Sequence, residues 1–197
     1  MNTLGLTSAR RSLWMWFAPV GIMAITIGVL YAMGRPFLYT GGTVQFWHGA
    51  INTAEDSQHI ADWYSFSHVI HGFLLYWLLW MCACTTRWLK PAWNRFTIAV
   101  LLESAWEVLE NTSLIINRYR DATIALGYNG DSILNSTCDI LFMSLGFLLA
   151  MRMPVWVTIC IAVAFEITTA LFIRDNLTLN VLMLVFPIDA IQQWQMG

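Results

Sequence analysis

The stretch FTIAVLLESAWEVLENTSLII, residues 96–116, decides the fold. As a helix rising about 1.5 Å per residue it is long enough to cross about 30 Å of hydrocarbon. Yet it carries Glu103, Glu107 and Glu110 at i, i+4 and i+7, a spacing that sets three carboxyls on one helical face. Ionisable groups are costly in hydrocarbon, so that face is expected to turn inward against partners and to carry function.

The rest of the chain agrees with a membrane setting. Of 197 residues 58% are hydrophobic and 11% charged, and the mean hydropathy is +0.59, too apolar for an ordinary soluble domain. The net charge of -2, without a run of basic residues, argues against a nucleic-acid partner. Cys82, Cys84, Cys138 and Cys160 have neither zinc nor disulfide-framework spacing and are expected to be small core residues.

Hydropathy places spans at 13–33, 66–85, 96–116, 133–151 and 155–173. Arg10 and Arg11 precede the first, as in a signal peptide. Its apolar stretch of about 20 residues exceeds a signal core and no A-x-A site follows, so an uncleaved helix is expected. Trp14, Trp16, Trp63, Tyr64, Trp88, Trp93, Tyr119 and Trp156 mark the span ends as interfacial aromatics.

Basic residues set the orientation. Arg10, Arg11, Arg87, Lys90, Arg95 and Arg152 fall on one side, and Arg35, Arg118, Arg120 and Arg174 on the other. The bias predicts a cytoplasmic N-terminus and an extracytoplasmic C-terminus. Residues 34–65 and 117–132 are then long outer connections, of the kind that cover or complete a site. The apolar run 177–186 is too short to span and is expected to be interfacial or re-entrant. The expected fold is all-α: one integral membrane domain over residues 1–197, a polytopic bundle of about five transmembrane helices.

Depth joins the polar residues. Counted from the outer ends, His71, Glu110, Asp139 and Glu166 lie about 7–11 Å into the membrane, Glu107 at about 13 Å, His68 and Asn135 nearer the surface, and Glu103 deeper. His68 and His71 at i, i+3 share a face, and Gly72 beside them permits close approach of another helix. His68, His71, Glu107 and Glu110 are candidate ligands of a divalent metal ion. With Asp139 they are also candidate general acids and bases.

Asp131, Asn135 and Asp139 recur every four residues as a polar stripe, and Asp131 also suits a helix cap. Arg118 and Arg120 could clamp an anionic head group. These two arginines, with Asp131 and Asn135, form the expected substrate-binding set. The candidates have structural alternatives: packing bonds to carboxylates for His68 and His71, a protonated or arginine-paired helix contact for Glu107 and Glu110, a helix cap for Asp131, and interfacial snorkelling or pairing with Asp121 for Arg118 and Arg120. Glu103 in particular is explained by a structural hydrogen bond, and Glu166 equally by a neutral core acid. No protease, lipase or nucleotide motif is present, and the glycosylation sequons at Asn111, Asn135 and Asn176 carry little weight.

The segments Asp62–Gly72, Glu103–Asn111, Arg118–Arg120, Gly130–Ser132 and Arg174–Leu177 together resemble a bacterial inner-membrane family of about this length whose activity is not established. More distantly, a histidine opening one span, acids in the next and an aspartate early in a third resemble the VanZ-like membrane proteins. This resemblance implies work on the cell envelope. The chain departs from that pattern at Met143, where an asparagine is expected four residues after Asp139.

Three functions compete on these grounds. The first is a hydrolase or transferase acting from the outer face on a lipid-linked envelope substrate, the second a non-catalytic component that binds membrane lipids or a partner, and the third a proton-coupled transporter.

Overall fold

A computed structural model describes residues 4–51, 53–123 and 127–197, giving the backbone alone for residues 4–16. Arg10, Arg11, Trp14 and Trp16, which informed the orientation and the aromatic belts, therefore lie outside the described side chains. Eight helices and no strand occur among the described residues: α1 (Leu4–Ala32), α2 (Ser65–Cys82), α3 (Ala92–Glu110), α4 (Ser113–Ala122), α5 (Ile133–Arg152), α6 (Val155–Ile173), α7 (Leu177–Val185) and α8 (Asp189–Met196). The chain is all-α, as its apolar periodicity predicts.

Of these helices α2, α5 and α6 are long and apolar enough to cross a membrane, and Phe17–Ala32 of α1 is a shorter apolar stretch. The expected span 96–116 is divided. Asn111 Nδ2 donates to the Glu107 carbonyl and the Thr112 hydroxyl to that of Leu109, and Thr112 is extended, so α3 stops at Glu110 and the chain turns into α4. Short polar side chains that bond back to the preceding turn compete with helix continuation.

The bundle is centred on the crossing of α2 and α5, which pack more extensively than any other pair. A Cβ on Gly72 would run into the Met143 carbonyl and the Phe147 nitrogen, and one on Gly146 would run into the Val69 carbonyl. The two backbones therefore touch directly, as small residues permit between membrane helices. Below the crossing, Leu79, Phe96, Ala99, Val100, Ile140, Met143 and Phe147 form the apolar core, with Ile22 and Met23 of α1 against it.

At one end of the bundle the long connection between α1 and α2 is stitched to the start of α5. The Ile133 and Leu134 amides donate to the carbonyls of Pro36 and Phe37, and Asn135 Nδ2 donates to that of His59 at 3.0 Å. Ser132 accepts from the Asn135 amide, so Ser132 rather than Asp131 caps α5. These bonds satisfy the orphan amides of the first turn.

Helix α6 touches the bundle thinly, through Phe165 on Phe66 and Phe172 stacked on Trp63. Its residues Val155, Ile159, Val163, Ile167 and Leu171 form an exposed apolar stripe at helical spacing. Cys82, Cys84 and Cys160 are also exposed and Cys138 is half-buried, which corrects the expected core placement. On a bundle whose outer surface is itself apolar, an apolar neighbourhood in sequence does not imply burial. Tyr119 is buried and Tyr64 turns inward, so neither is an interfacial marker, whereas Trp88 and Trp156 stay exposed.

The C-terminal run folds back on the bundle. Glu166 on α6 accepts from the amides of Leu177 and Thr178 at 3.0 and 3.1 Å, holding a carboxylate against the first turn of α7. It is a capping residue rather than a core acid or a member of the polar cluster. Asp175 accepts from the Tyr64 hydroxyl and from Gln195 on α8. Burial raises the Asp175 carboxyl from 3.8 to about 6, outweighing the bonds that favour its ionised form.

Two outcomes follow. Replacing Gly146 by Val lowers stability by about 1–3 kcal/mol through overpacking, while Gly28→Ala, which meets nothing within 4 Å inside α1, leaves the thermal midpoint in detergent unchanged or slightly raised; equal midpoints for the two variants would remove the crossing from its central place. For Asp175 the folded chain binds the proton more tightly than the unfolded chain, so its contribution is full below the unfolded value of 3.8 and is lost as pH rises through about 6. The loss is on the order of 3 kcal/mol. Asp175→Asn should gain stability relative to wild type steadily between pH 4 and 7, and a difference independent of pH would contradict this account.

Candidate functional site

Three helices bring the polar residues together. His68 and His71 project from the first two turns of α2, Glu103, Glu107 and Glu110 from the second half of α3, and Asp139 from the second turn of α5. Asp131 reaches the same place from the connection before α5. The i, i+3 and i, i+4 spacings keep each set on one face, and the glycine crossing lets the faces meet.

Glu103 is the hub. His68 Nδ1 lies 2.6 Å from Glu103 Oε1, and His71 Nδ1 lies 3.0 and 3.2 Å from its two oxygens. A carboxylate can only accept, so both rings donate through Nδ1 and both Nε2 atoms are left with lone pairs. His68 Nε2 faces Asp139 Oδ2 at 3.8 Å, and Glu107 Oε1 lies 3.6 Å from the same ring. Ligating histidines are commonly oriented in this way, with the other ring nitrogen held by a carboxylate.

Glu107 is the most unusual residue of the site. It is wholly buried, and neither of its oxygens has a hydrogen-bond partner among the described residues. Asp139 Oδ1 is likewise buried and unbonded. Ligand atoms of His68, Glu107 and Asp139 lie within 4.8 Å of one another, as do those of Glu107, Glu110 and Asp131, and those of His68, His71 and Glu103. The donor set of imidazole and carboxylate fits a divalent cation. The four ligands expected from sequence do not form one group, because His71 sits with Glu103 and Glu110 sits with Asp131.

Asp131 is fixed by its neighbours. It accepts from Asn111 Nδ2 at 2.7 Å and from the Tyr128 hydroxyl at 2.8 Å, and its amide donates to Asn111 Oδ1. Burial pushes the Asp131 carboxyl up against those bonds, and it also pushes the Tyr119 and Tyr128 phenols well above their ordinary range, so both remain donors. Asn111, which the sequence presents as a sequon, is the buried clamp between α3 and α5.

A cavity of about 350 Å³ opens onto this cluster. Its polar end is formed by His68, His71, Glu103, Glu110, Asp131 and Asp139, and its apolar wall by Leu74, Leu75, Leu102, Leu177 and Val181. Leu74, Leu102 and Val181 are also exposed on the outside of the bundle, so the cavity reaches the apolar surface between α2, α3 and α7. Asp56, Ser57, Tyr64, Tyr119 and Tyr128 come from the two long connections and from α4, and complete the site as loops of that length were expected to do.

Arg118, Arg120 and Asn135 take other work. Arg118 Nε donates to the Leu184 carbonyl, tying α4 to α7, while Arg120 donates to the Tyr128 carbonyl and to Asn129. Asn135 points to His59, away from the cavity. Among the described lining residues there is no lysine or arginine, so an anionic group entering here would meet no fixed cation.

A second histidine group, His48 and His59 with Glu55, lies in the first connection. His59 Nδ1 accepts from the Gln45 amide, which leaves the proton on Nε2 directed at Glu55. That arrangement folds the loop and offers no lone pair for a metal at His59. Asp62 accepts from the amides of Ser57 and Tyr64 and shapes the turn into α2.

The chain matches the family described as protein of unknown function (DUF2585) over residues 30–197. It is 51% identical over 196 residues to a UPF0314 protein of Agrobacterium fabrum, covering 99% of this chain and 97% of that protein. It is 53% identical over 189 residues to one of Sinorhizobium fredii, covering 95% of this chain and 94% of that protein. A UPF0314 protein of Sphingopyxis alaskensis is 51% identical over 185 residues, covering 92% of this chain and 95% of that protein. No solved structure matches. With every residue of the cluster inside the matched range, the chain belongs to the DUF2585 family, an uncharacterised bacterial family.

Proposed function

We propose that this is a multi-pass protein of the bacterial inner membrane with its N-terminus in the cytoplasm, and that its cluster works at the outer face as a metal-assisted hydrolase or transferase on the head group of an envelope lipid. The observation that carries the reading is Glu107, wholly buried with both oxygens unbonded beside His68 and Asp139. An ionised carboxylate in such a place needs a cation or a proton, and two neighbouring acids make the need greater.

The exposed apolar stripe of α6 supports the membrane setting, since so large a patch is unsuited to water. The cavity supports the substrate class. Its apolar wall meets the outer apolar surface, so an acyl chain can lie along Leu74, Leu102 and Val181 while the head group reaches the polar end. An envelope setting carries over from the resemblance to VanZ-like proteins.

In this scheme His68, Glu107 and Asp139 would hold a divalent cation, which would supply Lewis-acid chemistry there. His71, fixed through Nδ1 by Glu103, offers Nε2 as base to the attacking water or acceptor hydroxyl. That oxygen adds to the ester, the bond to the leaving alcohol breaks, and the alcohol regains the proton from His71. A transport path is less well supported, because the sequence shows no internal repeat and the carboxylate cluster is gathered at one end of the bundle. A lipid-binding role without chemistry would use the same cavity.

In a host lacking the gene, wild type should restore the lipid profile, and Glu107→Gln, present in the membrane at the same level, should fall short by about 10²-fold or more in rate. Full restoration by Glu107→Gln would sink the catalytic reading in favour of lipid binding.

A further inference from the structure

We propose that the cluster is a dinuclear metal centre in which Glu107 bridges two divalent cations. The inference rests on the metal-binding reading above and extends it. Two of the ligand groups share one residue: His68, Glu107 and Asp139 form the first, and Glu107, Glu110 and Asp131 the second. A carboxylate has two oxygens, and in Glu107 both are buried and unbonded. A cation held by a single oxygen accounts for one of them, and a second ligand pair, Glu110 and Asp131, converges on the same carboxylate. The second oxygen then remains an orphan in the protein interior unless it too has a partner.

Charge gives the same answer independently. Glu103, Glu107, Asp131 and Asp139 are buried, and Glu110 is half-buried beside them. With all five ionised and both histidines neutral, one divalent cation leaves three uncompensated negative charges and two leave one. No lysine or arginine among the described lining residues offsets the remainder, since Arg118 and Arg120 are engaged with α7 and the 128–129 turn. Burying unpaired charge is strongly unfavourable, so each acid that does not take up a proton needs a cation, and two cations compensate the ionised cluster more fully than one.

The donors also differ between the two halves. The first has one imidazole nitrogen and two carboxylates, and the second has carboxylates alone, with Asp131 held in place by Asn111 and Tyr128. Manganese(II) and iron(II) accept both donor sets, whereas an all-oxygen site suits zinc poorly. Paired ions in such centres sit roughly 3.5–4 Å apart and together clamp the two oxygens of a displacement. A pair of cations would also give an anionic head group the positive charge that the cavity walls lack.

The test uses the full-length protein purified in detergent, stripped with chelator, reloaded with manganese(II) and desalted, with folding checked by thermal unfolding. Wild type should hold two ions per chain and give the magnetic-resonance spectrum of an exchange-coupled pair. Asp131→Asn and Glu110→Gln should each hold one, with an isolated-ion spectrum, and Glu107→Gln should bind at least tenfold more weakly at both positions. Wild type with a single uncoupled ion, unaffected by Asp131→Asn or Glu110→Gln, would overturn the bridged pair and leave the mononuclear reading intact. A wild type that binds no manganese, iron or zinc would overturn both. Should the variants fail to fold, the stoichiometry and spectrum of wild type decide alone.

Discussion

Gathering five carboxyl groups, four of them buried and Glu110 half-buried, at one end of an apolar bundle is the constraint on which the rest of the structure depends. Hydrocarbon and packed side chains give little dielectric screening, so each charge must find a donor, a proton or a cation. The structure answers with two histidines on one carboxylate, an asparagine clamp on Asp131 and phenols kept as donors. The glycine crossing of α2 and α5 serves the same end. Only where the backbones touch can side chains as short as Asp139 and as long as Glu103 converge on one ring.

Much of the site was legible in the sequence because helical spacing and depth are simple geometry. The paired histidines, Glu107, Glu110 and Asp139 were expected near one level with Glu103 deeper on the same face, and α2, α3 and α5 bring them together. Gly72 was read as a point of close approach, and it is one. The long connections were expected to complete the site, which Asp56, Tyr64 and Tyr128 do.

What was not legible depends on partners that hydropathy does not encode. Arg118 and Arg120 looked like anion clamps, but the carbonyls that hold them belong to α7 and to a distant turn. Glu166 matched the depth of the cluster, yet depth says nothing of azimuth, and its face meets the start of α7. Glu103 was left between a functional role and a structural hydrogen bond because it lies deepest. A hub is deepest for a physical reason, since it must reach two histidines a turn apart. The break after Glu110 had a local signal in Asn111-Thr112-Ser113, masked by the apolar residues that follow.

The capping of α7 by Glu166 has a consequence for biogenesis. The carboxylate that holds the first turn of α7 belongs to the preceding helix, and α7 supplies part of the cavity wall through Leu177, Asn180 and Val181. In chain order α2, α3 and α5 precede both α6 and α7. A chain extended only through α5 lacks the α7 side of the cavity, and the cap for that side comes with α6. Completion of the pocket is thereby tied to α6, because the carboxylate that caps the α7 wall is carried by that helix.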